Sequence, residues 1–246
     1  MSSEPRRVHV VDALPEIVEH LGAEERNLAR QDLVAELLVI RRGSWAPALP
    51  VPEAPGHLGL LVLDGLLTRD VILEKPLATE LVGRGDLLRP ADNDGVNAPI
   101  PFDIAWHVLQ PARVAVLDPA FARALGRWPA AAEVILKAAV NRAHTLAVTL
   151  AVSHLRRVDT RLLVIMWYLA DRWGRVRPEG VVVPLTLTHE TLARLVGAQR
   201  PSVTTALRLL ADEGRLVRTP ERTWLLRGDP PTSLGRTHEA TVVSAP

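Results

Sequence analysis

Between Thr188 and Ala211 the apolar positions recur at helical spacing, with one interruption at Gly197. Before the interruption stand Leu192, Leu195 and Val196, and Thr188 is placed to cap the helix through its hydroxyl. After it, from Arg200 to about Ala211, Val203, Ala206, Leu207 and Leu210 fall on one face. Pro201 lies in the first turn, where a backbone N–H has no acceptor within the helix, so its absence is tolerated. Glycine enters a left-handed turn without steric cost, which makes Gly197-Ala198-Gln199 a tight turn. Two helices that cross steeply need a small residue at the contact, a glycine in the turn and a branched apolar plug on the second helix. Ala193, Gly197 and Val203 occupy those places. Glu213-Gly214 ends the run, and Leu216-Val217-Arg218 and Thr223 to Leu226 read as two strands around Thr219 to Arg222. The pattern predicts a helix-turn-helix followed by a β-hairpin wing.

Upstream, helical periodicity gives way to short apolar runs. Leu14 to Leu21, with Pro15 near its start, and Glu24 to Asp32 predict two short helices. Leu33 to Ile40, followed by Arg41 to Trp45, reads as a strand ending in a glycine turn. Pro47, Pro50, Pro52 and Pro55 then exclude helix and central strand. His57 to Leu63 and Leu66 to Leu73 flank Asp64-Gly65, the pattern of a hairpin. Ala78 to Val82, the turn Gly83 to Asp86, Leu87-Leu88, and a turn at Asp92 to Gly95 continue the theme. Two further strands are expected at Ile104 to Leu109 and Arg113 to Asp118, on either side of Gln110-Pro111. Short strands with closely spaced turns describe a β-sandwich or β-roll.

Pro119 to Arg127 predicts a short helix, and Pro129 opens a long one reaching about Arg157. Leu136, Val140, Ala143, Ala147 and Leu150 recur along one side of it, and Val134, Ala138, Val148, Val152 and Leu155 along another. A helix that is apolar on two sides must be covered on both. One side can pack on the β-domain, and the other on a second copy as a short coiled coil; a core helix buried within one monomer is the alternative. Asp159 to Trp173 is a further helix ended by Gly174, and Val181 to Leu187 a strand with Pro184 at an edge. The last residues, Asp229 to Pro246, are poor in large apolar groups and predict a disordered tail.

Charge sharpens the reading of the first motif. Residues 188–228 hold seven arginines against four carboxylates, a net of +3 in a chain whose overall charge is +1, so contact with a polyanion is expected on one face only. With no cysteine there is no disulfide framework, thiolate zinc site or cysteine-ligated cluster. No run reaches membrane-spanning length and the N-terminus lacks a signal peptide's apolar core, which predicts a cytoplasmic protein without a membrane partner. His57, His107 and His144 are isolated, so no metal site and no cofactor are expected. Trp45, Trp106 and Trp128 could line an apolar pocket, or sit at domain seams. No nucleophile–base pair, phosphate loop or carboxylate pair points to an enzyme.

The order of parts, and the run LTHETLARLVGAQRPSVTTALRLLADEGRL in particular, resemble the cyclic-AMP receptor protein/Fnr (Crp/Fnr) family of bacterial transcription regulators over nearly the whole chain. The resemblance implies an α+β fold: a cyclic-nucleotide-binding-like sensor β-roll over 1–128, a dimerisation helix over 129–157 and a winged helix-turn-helix over 158–228, followed by the tail at 229–246. It implies as partners double-stranded DNA with an inverted-repeat operator, a second copy in a homodimer, RNA polymerase and a small-molecule effector. Arg200 falls on the family's guanine-reading arginine, and at that place a guanidinium can donate two bonds to guanine O6 and N7; a phosphate contact is the alternative. Where the family commonly has a glutamate and a further basic reader, this chain has Pro201 and Thr205. Base specificity should therefore differ, with Ser202, Thr204 and Thr205 as polar contacts. Thr188, Arg208, Arg218 and Arg222 are candidate phosphate clamps, each arginine being otherwise a solvated surface residue.

The sensor departs further from the family. After Gly85-Asp86 the sequence contains neither the Gly-Glu turn nor the Arg-Ser/Thr-Ala segment that holds a cyclic phosphate, and Arg89 is followed by Pro90. Cyclic-AMP binding of the usual kind is not expected, and the effector is unidentified. An effector-binding or protein-interaction module with a degenerate DNA-binding domain is the alternative function.

Overall fold

The structure is a computed structural model describing residues 6–47, 56–73, 76–89 and 100–231. The expectations for the proline-rich segment after Pro47, for the turn at Asp92 to Gly95 and for nearly all of the tail fall outside those residues. Two compact units divide the chain, Met1–Ala147 and Val148–Pro246. Among the described residues no helix is long and apolar enough to cross a membrane.

The first unit begins with β1 (Arg7–His9), a short helix α1 (Val10–Ala13), a 3-10 turn over Pro15–Val18 and α2 (Ala23–Asp32). The helix expected over Leu14 to Leu21 is thus a single tight turn. Seven strands follow one antiparallel scheme, with β1, β2 (Val34–Ile40), β7 (Asp103–Leu117), β4 (Gly59–Ile72) and β5 (Pro76–Gly83) in that spatial order. β3 (Gly43–Trp45) pairs with β7, and β6 (Leu87–Leu88) with β4. Side chains alternate across this sheet. Leu60, Val62, Val114 and Val116 enter one core with Leu67, Val82, Trp106 and Val108. Leu61, Leu63, Ala115 and Leu117 enter the other, against Val10, Ile17, Leu33 and Phe121.

Two expected breaks in this region are not breaks. Asp64-Gly65 is no hairpin turn, and Gln110-Pro111 does not separate two strands: β4 and β7 run through both places as partners. Asp64 faces Arg113 and Leu66 faces Gln110, so the single residue Gly65 opposes Pro111 and Ala112 in a bulge. Gly65 has φ +100°, and a Cβ there would stand 2.5 Å from the Ala112 Cα and the Pro111 oxygen. Proline, lacking an N–H, is accommodated where the ladder is already interrupted. β2 and β3 pair with β7 on either side of the same line, leaving Arg41 and Arg42 between them. The turn signals are therefore real, but they bend long strands instead of ending them.

Asp118 caps α3 (Pro119–Leu125), its Oδ1 accepting from the Phe121 N–H at 2.7 Å. α4 (Pro129–Ser153) is the long helix, ending short of the expected boundary near Arg157. Ala131 and Ile135 are buried in the helical core, while Leu136 and Val140 are 65% and 59% exposed. The helix is also tied to the sheet of its unit. Arg142 donates from Nε and Nη2 to the two oxygens of buried Glu80 at 2.6 and 2.9 Å, and from Nη1 to the Leu87 carbonyl at 3.2 Å.

In the second unit α5 (Val158–Trp173) closes on Gly174, whose N–H donates to the Ala170 oxygen at 2.8 Å. A hairpin of β8 (Arg175–Arg177) and β9 (Gly180–Val183) follows. The strand expected over Val181 to Leu187 ends instead at Val183, since Pro184 cannot donate to a ladder. The three exposed residues of β8 carry no apolar pattern that would predict a strand. Helices α6 (His189–Leu195) and α7 (Arg200–Asp212) come next, then β10 (Leu216–Arg218) and β11 (Trp224–Leu226). The sheet order is β10-β11-β9-β8.

Candidate DNA-contact surface

Thr188 opens the surface. Its Oγ1 accepts from the Thr191 N–H at 3.0 Å, satisfying a donor at the start of α6 that has no partner within the helix. Gly197 takes φ +60° in the turn, and the Ala198 N–H donates back to the Ala193 oxygen at 2.9 Å. α5 supports this turn from below: Arg161 Nη1 donates to the carbonyls of Val196 and Gly197 at 3.2 and 3.0 Å. Ala193 and Val203, the small contact and the branched plug, are 3% and 0% exposed.

At about 100° per residue, α7 turns Val203, Ala206, Leu207 and Leu210 inward, and all four are buried. Pro201, Thr205 and Arg208 fall on the opposite side, with Arg200 and Thr204 flanking on one side and Ser202 on the other, all exposed. The Thr204 hydroxyl donates to the Arg200 carbonyl at 3.0 Å and that of Thr205 to the Pro201 carbonyl at 3.2 Å. Each hydroxyl is thereby committed as a donor and keeps only acceptor capacity. β10 and β11 form the wing. Arg218 lies 5.8 Å from the Trp224 ring centroid, a cation–π contact that orients its guanidinium. Arg222 has φ +64° and donates its N–H to the Thr219 oxygen at 2.9 Å, an unusual backbone state for a residue with a Cβ.

With this geometry in hand, comparison decides the domain: the Crp-like helix-turn-helix domain family matches residues 160–227. The C-terminal domain belongs to that family. The fold of the chain is that of Crp/Fnr-family regulators, an N-terminal β-roll with a C-terminal helix-turn-helix. A CooA mutant from Carboxydothermus hydrogenoformans aligns at TM-score 0.60 and 18% identity, over 87% of this chain and 92% of that one. A CRP/FNR-family transcriptional regulator from Thermus thermophilus aligns at TM-score 0.50 and 21% identity, over 78% and 94%. The c-di-GMP-responsive global regulator CLP of Xanthomonas campestris aligns at TM-score 0.54 and 16% identity, over 79% and 95%. No curated protein sequence matches the chain. Together these findings support a DNA-binding transcription regulator.

Within the Crp-like domain, one residue escaped the sequence reading. His189, beside the capping Thr188, brings Nδ1 to 3.1 Å from the Thr204 Oγ1. Burial first, then the charges of Arg218 and Arg200, hold this imidazole below its usual pKa range. It therefore links α6 to α7, under the positive charge of Arg218 on the wing. Its only signal in the sequence was a place next to the cap.

In the first unit, Gly83 to Asp86 forms the expected turn, with the Gly83 N–H donating to Asp86 Oδ2 at 2.8 Å. Arg89 is exposed, and residues 90–99 lie outside the described ones. The three tryptophans do not share a site. Trp128 donates to Asp32 Oδ2 at 3.0 Å against the helical core, whereas Trp45 and Trp106 meet edge to face with centroids 5.8 Å apart. His107 approaches Asp70 at 3.8 Å.

Proposed function

We propose that this protein is a homodimeric, sequence-specific transcription regulator whose α7 enters the DNA major groove. Arg200 reads a guanine, Ser202, Thr204 and Thr205 make further polar contacts, and Thr188, Arg208, Arg218 and Arg222 engage phosphates. The observation that carries the reading is the solvent-facing set on α7, Arg200, Thr204, Thr205 and Arg208, presented by a Crp-like helix-turn-helix. Self-association is supported by the side of α4 on which Leu136, Val140, Ala143, Ala147 and Leu150 are spaced alternately by four and three, with Leu136, Val140 and Leu150 strongly exposed. Residues 1–128 act in this proposal as the sensor of a small-molecule effector other than cyclic AMP in its usual mode, and the protein works in the cytoplasm.

Footprinting on the DNA upstream of its own gene tests the proposal. Protection of an inverted repeat is expected, with half-site centres about 34 Å apart, one helical turn. Arg200→Ala should weaken binding by about 1–3 kcal/mol, roughly 5- to 150-fold, with the fold unchanged by circular dichroism. Absence of any protected repeat, or an Arg200→Ala protein that binds as well as the parent, overturns it.

A further inference from the structure

Among the hydroxyls that α7 presents to solvent, Thr204 is the one held from a second element. Its Oγ1 lies 3.0 Å from the Arg200 carbonyl within α7 and 3.1 Å from Nδ1 of His189 on α6. Thr205 has only the Pro201 carbonyl of its own helix, at 3.2 Å. His189 is part-buried at the start of α6, whereas Thr204 is exposed. A side chain that stands back from the surface thus grips one that faces out of it.

The hydroxyl carries one proton and two lone pairs, and this grip decides where the proton goes. With hydrogen on Nδ1, the imidazole donates to Oγ1, the hydroxyl donates to the Arg200 carbonyl, and one lone pair is left over. With Nδ1 bare, the hydroxyl donates to it and both lone pairs are left over. An imidazolium, with hydrogen on both nitrogens, falls under the first arrangement. In each state of the ring the Thr204 proton is used inside the protein, so Thr204 meets DNA as an acceptor. Arg200, four residues earlier on the same flank, is the reverse, with five donors and no acceptor. Pro201 beside it offers no polar side-chain atom. Four residues of helix rise about 6 Å, between one and two base-pair steps of about 3.4 Å.

We propose that His189 is a specificity-determining positioning residue: by fixing the Thr204 hydroxyl as an acceptor, it makes α7 select an exocyclic amine, N6 of adenine or N4 of cytosine, one or two base pairs from the guanine read by Arg200. In the major groove these amines are the only base donors, whereas guanine O6 and N7 and thymine O4 would meet Oγ1 lone pair to lone pair. Each base pair carries one such amine, so the bond fixes which strand bears it. The inference rests on the reading that α7 lies in the major groove with Arg200 on a guanine.

The test begins by selecting operators from random duplex DNA with the full chain, and the guanine is located as the column lost in Arg200→Ala. In each of the two base pairs on either side, the amine-bearing base is then replaced by the analogue lacking only the amine, purine for adenine or 2-pyrimidinone for cytosine. At one of these pairs the parent should lose about 2- to 12-fold in affinity, the worth of one hydrogen bond. Thr204→Val, which keeps the shape without the hydroxyl, should show no such loss on the same pair of DNAs. His189→Phe should show less than half of it. Thr204→Ser, and His189→Asn, whose amide lies as many bonds from Cβ as Nδ1 does, should show it in full. Retention of the guanine column by each variant certifies that its helix-turn-helix is folded. No loss in the parent at any of these pairs overturns the proposal, as does an equal loss in Thr204→Val or an undiminished one in His189→Phe. Selection of no operator at all overturns the regulator reading and this inference with it, whereas an operator indifferent to its amines overturns the inference alone.

Discussion

Val140→Asp isolates the role of the exposed side of α4. Burying a valine or leucine completely is worth about 1.5–3 kcal/mol. Scaled by the 65%, 59% and 62% exposures of Leu136, Val140 and Leu150, each side chain has about 1–2 kcal/mol still to gain by being covered. In the proposed dimer six such side chains across a twofold axis would supply about 6–11 kcal/mol, against an association cost of about 4–15 kcal/mol. The two are close enough for one position to decide the outcome. Val140→Asp removes two burials, about 2–4 kcal/mol, and sets two carboxylates against each other. The dimer dissociation constant should rise by about 30- to 700-fold or more. Because Val140 faces solvent within the protomer, the monomer should fold as before. Sedimentation equilibrium measures the first effect, and the thermal midpoint of the dilute monomer checks the second. An unchanged dissociation constant refutes the reasoning, and so does a collapsed midpoint, which would place Val140 inside the protomer's own core.

Three other outcomes follow from local geometry. Thr188→Ala deprives the Thr191 N–H of its acceptor and should cost about 1 kcal/mol in urea unfolding of the DNA-binding domain; no change would mean that water caps α6 equally well. Gly65→Ala forces a Cβ to within 2.5 Å of the Ala112 Cα at φ +100° and should cost at least about 2 kcal/mol, read as a lower thermal midpoint. His189 has a folded-state pKa lowered by burial and by Arg218 and Arg200, so the unfolded chain takes up its proton first on acidification. Its contribution to stability is full above about pH 6.5 and is lost as the pH falls through the lowered folded-state value. Urea midpoints of parent and His189→Gln should therefore diverge above that window and converge below it; parallel curves would contradict the sign.

The helix-turn-helix was legible because its determinants are local. Thr188 caps a residue three positions on, Gly197 turns between adjacent helices, and Val203 to Leu210 declare their buried face by spacing alone. The same signals misled in the sheet. Asp64-Gly65 looks identical in sequence whether it ends a strand or bends one, and the choice lies with Pro111 and Ala112, far along the chain. The contacts that gather chemistry were likewise invisible. Arg142 reaches Glu80 across 62 positions, and His189 finds Thr204 across 15. The sequence by itself determined the elements with a periodicity and a cap, because those energies are set within one or two turns of chain. Only the tertiary structure decided which strands run on through their glycines and which polar side chains meet, because pairing register and helix packing bring together residues that no local pattern connects.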